Sequence, residues 1–232
     1  MVQIYRDEGI IFDLDDLLYN EFDFVRSGFW AVARTYSERE PKVLFRQMMS
    51  HYFLGNAVFD WLCNDYLKGN SENSINSVLS VYRNHKPNIS LSEEVVKVLS
   101  QLKDNGNKMG LITDGRSITQ RNKIDALKLS KWINDFTISE ELGYEKPSEK
   151  PYLYFMEKFD CKSFVYLGDN YNKDFISPNQ LGWRTIALKD NGLNIHAIKE
   201  NLDLAYYPSE TINNFSELLI SGKHSITQCN NK

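Results

Sequence analysis

Short hydrophobic runs alternate with amphipathic stretches over most of this chain, and the runs stop at polar residues. Apolar runs of this length, bounded by turn residues, are typical of buried strands. The pattern predicts five strands, at Gly9–Phe12, Lys108–Ile112, Phe136–Ile138, Phe164–Leu167 and Arg184–Leu188. Helical periodicity fills the intervals between the later strands. We therefore expect an α/β fold, a doubly wound parallel sheet with helices on both faces.

One long segment departs from this alternation. Between Phe22 and Arg83 apolar residues recur only at helical spacing, and Pro87 and Asn88 follow as breakers. The next helix is predicted to open with a capping box of Ser90 and Glu93 and to end at Gly106. We expect three parts: a sheet domain from residues 1–18 and 88–220, an inserted helical domain at 19–87, and a polar, disordered tail at 221–232.

Composition and charge exclude several classes of protein. The 232 residues are 42% hydrophobic and 25% charged, as in a folded globular chain, and the net charge is −4. A chain with this net charge has no broad positive electrostatic field that would attract nucleic acid. No apolar run is long enough to span a membrane, and Met1 to Glu8 lack the apolar core of a secretion signal. Three scattered cysteines form no disulfide framework, so we expect a cytoplasmic protein.

Reactive side chains follow four of the predicted strands. Asp13 and Asp15 come after the first, Thr113 and Asp114 with Gly115 after the second, and Asp169 and Asp174 after the fourth, while Lys146 follows the third. Ligands of open α/β sheets bind at the carboxyl ends of the strands. The sequence therefore predicts one crevice that contains several carboxylates, a hydroxyl and an ammonium group.

This set of groups favours phosphoryl chemistry. Closely packed carboxylates repel one another, and a hard divalent cation such as Mg²⁺, which prefers oxygen ligands, relieves the repulsion. A carboxylate left to attack would form an aspartyl-phosphate. A hydroxyl, a lysine and backbone N–H groups suit the oxygens of a transferring phosphoryl group.

Four segments in this order resemble the motifs of the haloacid dehalogenase (HAD) superfamily of phosphohydrolases. They are Phe12–Asp16, Leu111–Gly115, Lys146–Pro147 and Gly168–Asp174, and they span most of the chain. The resemblance implies a Rossmann-like core for the sheet domain and a cap domain for the helical insert. Such a cap would close over the site and shape substrate choice.

The resemblance also implies a role for each site residue. Asp13 would be the nucleophile, and Asp15 the general acid that later activates water. Thr113, with the Asp114–Gly115 turn and Lys146, would bind the phosphoryl group. The Mg²⁺ ligands would be Asp13, the main-chain carbonyl of Asp15, and Asp169, while Asp174 would hold a metal-bound water or steady Lys146.

Two positions bear on the type of reaction. Dehalogenases of the superfamily lack an acid at the position of Asp15, so its presence favours phosphoester chemistry over carbon–halogen cleavage. Leu17 stands where family members usually carry Thr or Val, which removes a polar role there.

These features predict a magnesium-dependent phosphatase, a monomer or homodimer, that acts on a small phosphorylated metabolite such as a sugar phosphate or a nucleotide monophosphate. A phosphosugar mutase would use the same aspartyl-phosphate and is an alternative. A receiver-like phosphoacceptor module using Asp13, Thr113 and Lys146 is a second alternative, although receivers have no helical insert of this size. A phosphonatase would need a lysine in the insert for an imine.

Overall fold

The structure is a computed structural model, and it describes residues 1–68, 74–195 and 202–221. The chain divides into two compact units. The first comprises Met1–Asn20, Leu91–Ser117 and Lys128–Lys232, and the second comprises Glu21–Ser90 and Ile118–Leu127. No helix in the described part of the chain is both long and apolar enough to span a membrane. The tail predicted at 221–232 lies outside the described residues, apart from Ser221.

The strands all belong to the first unit. Their bounds are β1 Val2–Tyr5, β2 Glu8–Phe12, β3 Met109–Thr113, β4 Asp135–Ile138, β5 Ser163–Gly168, β6 Arg184–Leu188, β7 Glu210–Ile212 and β8 Leu218–Ser221. β2 and β3 are buried along their whole length, which is why their sequences are apolar without alternation.

The helices occur in both units. Their bounds are α1 Glu21–Tyr36, α2 Pro41–Phe53, α3 Val58–Trp61, α4 Ile75–Asn84, α5 Glu93–Asn105, α6 Ser117–Ala126, α7 Ser139–Leu142, α8 Lys150–Lys158 and α9 Ile176–Gln180. A π-helical turn, Leu62–Tyr66, follows α3, and 3₁₀ turns occur at Leu129–Lys131, Leu204–Tyr206 and Phe215–Glu217.

Six of the described strands form one parallel sheet in the order β4-β3-β2-β5-β6-β7. This is the doubly wound order, with flanking helices, and it confirms the predicted fold class. Phe12 pairs with Leu111 of β3 and with Leu167 of β5, so the three strands end almost level. The residues after β2, β3 and β5 therefore emerge at one edge of the sheet.

All regular elements among the described residues of the second unit are helices. Buried apolar side chains of α1, α2, α4 and the turn after α3 form its own core, including Phe29, Leu44, Leu62 and Val78. The unit also contains residues 118–127, which the sequence analysis assigned to the sheet domain. The physical reason is hydrogen bonding, because the Asn122 side chain donates to the carbonyl oxygen of His85 at 3.1 Å.

Two local features differ from the sequence prediction. The helix after the insert is capped by Ser92, whose hydroxyl accepts the Val95 N–H at 3.2 Å, and the capping box at Ser90 and Glu93 was wrong. Gly106 does end this helix, at a φ of 86° that favours glycine. Three strands were also missed, namely β1, β7 and β8.

An ion pair between Arg184 and the buried Glu8 carboxylate ties two of the missed strands, β1 and β7, to β2. β1 and β8 form a two-stranded parallel ribbon. Glu8 of β2 is 1% exposed, and its carboxylate accepts the Tyr5 N–H and lies 2.8 Å from Nη1 of Arg184. Nη2 of Arg184 donates to the carbonyl oxygen of Gln3 and to Glu210 of β7, both at 3.0 Å. Arg184 thus connects β1, β2 and β7 across the amino ends of the strands.

We expect Arg184→Leu to lower the free energy of unfolding by about 2 kcal/mol or more, because it removes the cation from a buried carboxylate. The measurement is urea unfolding followed by tryptophan fluorescence. Arg116→Leu is the matched control, since Arg116 is half exposed and 3.9 Å from Glu140, and we expect a change within about 0.5 kcal/mol. Equal losses in the two variants would contradict the structural role of Arg184.

Candidate active site

The level strand ends bring the predicted site residues together within the first unit. Asp13, Thr113 and Asp169 directly follow or end β2, β3 and β5, and all three are buried. The N–H of Asp13 donates to the carbonyl oxygen of Leu167 at 2.9 Å, which extends the pairing of β2 with β5 by one residue. The backbone thereby fixes where the Asp13 side chain begins.

A fully buried lysine lies at the centre of this site. The Lys146 ammonium is 2.7 Å from Asp13 Oδ1 and 2.8 Å from Asp174 Oδ1, and it donates to the Tyr166 hydroxyl at 3.2 Å. Burial alone would lower the pKa of Lys146, but the two carboxylates hold it well above its ordinary value. Lys146 is therefore charged, and it is shared between the predicted nucleophile and Asp174.

Asp174 is held in place by hydrogen bonds to other residues of the first unit. Its Oδ2 accepts the N–H groups of Asp169 and Asn170 at 3.2 and 3.0 Å, and its carbonyl oxygen accepts the Tyr152 hydroxyl at 3.1 Å. A Cβ on Gly168 would lie 2.5 Å from Asp174 Oδ2, so only glycine leaves room for this carboxylate. Of the two roles implied for Asp174, this geometry fits the steadying of Lys146.

Three buried carboxylates could hold a metal ion. Asp13, Asp169 and Asp174 each offer an oxygen, and these oxygens all lie within 4.8 Å of one another. Burial raises the pKa of Asp13 to about 7, against the opposing charge of Lys146. Burial and the charges of Asp13 and Asp174 raise the pKa of Asp169 to about 9. A hard divalent cation would reverse this repulsion, so the donor set fits Mg²⁺.

Asp15 is oriented differently from those three acids. Its carboxylate accepts a hydrogen bond from the hydroxyl of Tyr19, which is itself buried. The side chain of Asp15 is not among the three clustered carboxylates. Asp15 is partly exposed whereas Asp13 is buried, and this difference suits an acid that must exchange a proton with substrate and water.

The turn after β3 is also ordered by side chains. Asp114 Oδ1 accepts the N–H of Lys146 at 3.1 Å, and Asp114 Oδ2 lies 2.8 Å from the Lys173 ammonium. The Gly115 N–H donates to the Ser139 hydroxyl at 2.9 Å. Gly115 has a φ of 137°, a conformation that side chains rarely adopt.

Sequence reasoning missed two polar groups of this site. Lys173 contacts Asp114, and the Asn194 side chain donates to Asp169 Oδ2 at 2.9 Å. Asp16, to which no chemistry was assigned, accepts the N–H of Ile195 at 3.0 Å and so ties the loop after β6 to the site. The position of Lys173 directly before Asp174 was a sequence clue, whereas nothing in the pattern pointed to Asn194.

Most of the chain is similar to known proteins in sequence and in fold. The family model described as haloacid dehalogenase-like hydrolase matches residues 10–188. A glyceraldehyde 3-phosphate phosphatase of Methanocaldococcus jannaschii is 28% identical over 91% of this chain and 95% of its own. The pyrophosphatase PpaX of Bacillus cereus is 26% identical over 92% of this chain and 95% of its own. The magnesium-bound HAD-hydrolase YfnB of Bacillus subtilis has the same fold, with a TM-score of 0.59 and 16% identity over 90% of this chain and 96% of its own.

We expect Mg²⁺ to raise the melting temperature of the wild type by several degrees, since a ligand that binds only the folded state stabilises it. In Asp169→Asn most of this increase should disappear. In EDTA the variant should melt no lower than the wild type, because the raised pKa of Asp169 means that its ionised form is disfavoured in the metal-free folded state, and the amide carries no charge.

The measurement is a thermal melt at pH 8 with EDTA or with Mg²⁺. Asp135→Asn serves as the control, since Asp135 pairs with Lys158 at the start of β4, and it should keep the full Mg²⁺ response. An undiminished response in Asp169→Asn would argue against a metal at this cluster.

Proposed function

The chain belongs to the haloacid dehalogenase-like hydrolase family, and from that premise we propose that it is a magnesium-dependent phosphatase of small phosphorylated metabolites. The observation that carries the proposal is the buried Asp13 carboxylate, held 2.7 Å from Lys146 beside two further carboxylates. Such a carboxylate is fixed in place and desolvated, as a nucleophile towards phosphorus requires.

In the first step an oxygen of Asp13 attacks phosphorus, and the bond from phosphorus to the ester oxygen breaks. The product on the enzyme is an aspartyl-phosphate. Lys146 offsets the negative charge that gathers on the nucleophile and the phosphoryl oxygens, and the Thr113 hydroxyl is suited to donate to one of them. Asp174 holds the Lys146 ammonium in position through the 2.8 Å contact between the two groups.

Asp15 handles the protons of both steps. It gives a proton to the departing ester oxygen, and in the second step it takes one from the water that attacks the aspartyl-phosphate. Tyr19 supports this role, because its hydroxyl contacts one oxygen of Asp15 and orients the other. Inorganic phosphate then leaves and Asp13 is regenerated.

Asp13 and Asp169 are the residues best suited to bind Mg²⁺ directly. Asp174 belongs to the same cluster, but both of its side-chain oxygens already contact Lys146 or backbone N–H groups. When bound, Mg²⁺ supplies positive charge that draws the phosphate in and lowers the charge on its oxygens. Asn194 supports Asp169 as a ligand, since it fixes one of that carboxylate's oxygens.

The names of the relatives support a substrate class for this proposal. Proteins similar over nearly the whole chain are named for glyceraldehyde 3-phosphate and for pyrophosphate, which are both small phosphorylated compounds. A sugar phosphate of few carbons is therefore our first candidate. We propose that residues 19–87 act as a cap that selects among such compounds, as closing elements commonly do.

We expect purified enzyme with Mg²⁺ to release phosphate from p-nitrophenyl phosphate and from short sugar phosphates, and Asp13→Asn to lower kcat by about 1000-fold or more. The amide cannot attack phosphorus, so the loss should be almost complete. The control is Asp135→Asn, which should retain the wild-type rate. Substantial activity in Asp13→Asn would refute the nucleophile, and isomerisation of a sugar phosphate without phosphate release would favour a mutase.

The proton donor has a separate test. We expect Asp15→Asn to slow hydrolysis of an alkyl phosphate far more than that of p-nitrophenyl phosphate, whose leaving group departs without a proton. The ratio of the two kcat/KM values should change by at least about 10-fold relative to the wild type. An equal loss on both esters would show that Asp15 acts in some other way.

A further inference from the structure

Lys173 lies beside the proposed catalytic groups, although it is not part of the mechanism described above. Its ammonium is 2.8 Å from Asp114 Oδ2, and the side chain is 30% exposed whereas that of Lys146 is fully buried. Lys173 directly precedes Asp174 in the chain, and its partner Asp114 directly follows Thr113, so both ends of this ion pair adjoin residues of the site. Lys173 is thus a second cation on the more accessible side of the site.

Asp114 links the two lysines. One oxygen of its carboxylate accepts the backbone N–H of Lys146, and the other binds the ammonium of Lys173. The backbone of Lys173 is fixed as well, because its N–H donates to the carbonyl oxygen of Asn170 at 3.1 Å. Main chain and side chain together therefore hold the Lys173 ammonium in one place.

The charge balance of the site gives this cation a purpose. Lys146 faces two carboxylates, and Asp114 and Asp169 add two more. A divalent metal ion and Lys146 together carry three positive charges against these four negative ones, and the buried Asp16 carboxylate also acts on Asp169. Lys173 adds a fourth positive charge and so lowers the repulsion that a phosphate dianion would meet at the site.

We propose that Lys173 is a second phosphate-binding residue, held in position by Asp114, which contacts the phosphoryl group of the substrate from the open side of the site. This inference rests on the proposed phosphatase function. Asp114 acts through Lys173 and is a positioning residue. The Lys173 ammonium must be fixed in position to hold the phosphoryl group in line with Asp13. The Asp114 carboxylate, which directly follows Thr113, provides this fixed position.

The first test measures binding of inorganic phosphate to the full-length enzyme with Mg²⁺ by titration calorimetry. We expect Lys173→Gln to weaken phosphate binding by about 10-fold or more, the usual effect of losing a charge-assisted hydrogen bond, and Lys173→Arg to recover most of the affinity. Lys158→Gln is the matched control, because Lys158 has an equally short pair, 2.8 Å from Asp135, outside the site, and it should bind as the wild type does.

The second test uses Asp114→Asn, which keeps the shape of the side chain. Lys173 retains its charge but loses its anchor, so kcat on p-nitrophenyl phosphate should fall about 10-fold, while the phosphate dissociation constant changes less than about 3-fold. A merely structural ion pair would lower the melting temperature and leave both kinetic and binding constants unchanged.

The outcomes separate the two proposals. If the wild type binds phosphate and Lys173→Gln binds it equally well, the role of Lys173 is refuted and the phosphatase function stands. If the wild type neither binds phosphate nor hydrolyses phosphate esters, the proposed function fails, and the role of Lys173 fails with it.

Discussion

The contact on which the rest of the site depends is the buried Lys146 ammonium shared between Asp13 and Asp174. None of these three charges would be tolerated alone in a region without water, because removing a charge from water costs several kcal/mol unless a partner repays it. Asp174 needs further partners, and it obtains them from two backbone N–H groups and the Tyr166 hydroxyl. The position of Asp13, the proposed nucleophile, is thereby set by a network that reaches from β2 to the loop after β5.

The parallel sheet is what makes this network possible. Strands that end level deliver Asp13, Thr113 and Asp169 to one edge without any long side chain having to reach across. The last residue of β5, Gly168, leaves the space that the Asp174 carboxylate fills. At the opposite end of the sheet, the partly exposed Arg184 and the buried Glu8 carboxylate join the strands by a second ion pair. One end of the sheet thus stabilises the fold, and the other holds the reactive groups.

Five of the six strands of the central sheet, β2 to β6, were predictable because burial makes them largely apolar, and each one is followed by a polar residue. The β1–β8 ribbon was not, since its two short strands pair Val2 with Leu218, and no local pattern links positions so far apart. The three-residue β7 is too short for any periodicity. Capping was misassigned by two residues because Ser90 and Ser92 are both competent caps, and only the backbone decides between them.

The same distinction applies to the site. Asp13, Lys146 and Asp169 are recognisable from the sequence, because their chemistry and order along the chain form a pattern. The contacts of Asp114 with Lys173 and of Asn194 with Asp169 join residues 59 and 25 positions apart, and they arise only once the loops are folded. Side-chain pairs of this kind leave no periodic trace, so structure was needed to reveal how the reactive groups are held.

The buried acidic cluster of the site also lowers the stability of the folded state. Asp13 and Asp169 have raised pKa values, so their ionised forms weaken the folded state as the pH rises above the ordinary range for carboxylates. The apolar core beneath the sheet, with Tyr152, Phe155 and Trp183, must supply the stability that this end of the molecule loses. A cation that binds the cluster would offset this loss of stability, because it stabilises the ionised carboxylates. The ionised form is also the one that the proposed attack on phosphorus and the binding of a metal require. Binding of the metal would then increase both the stability of the folded state and the affinity of the site for phosphate.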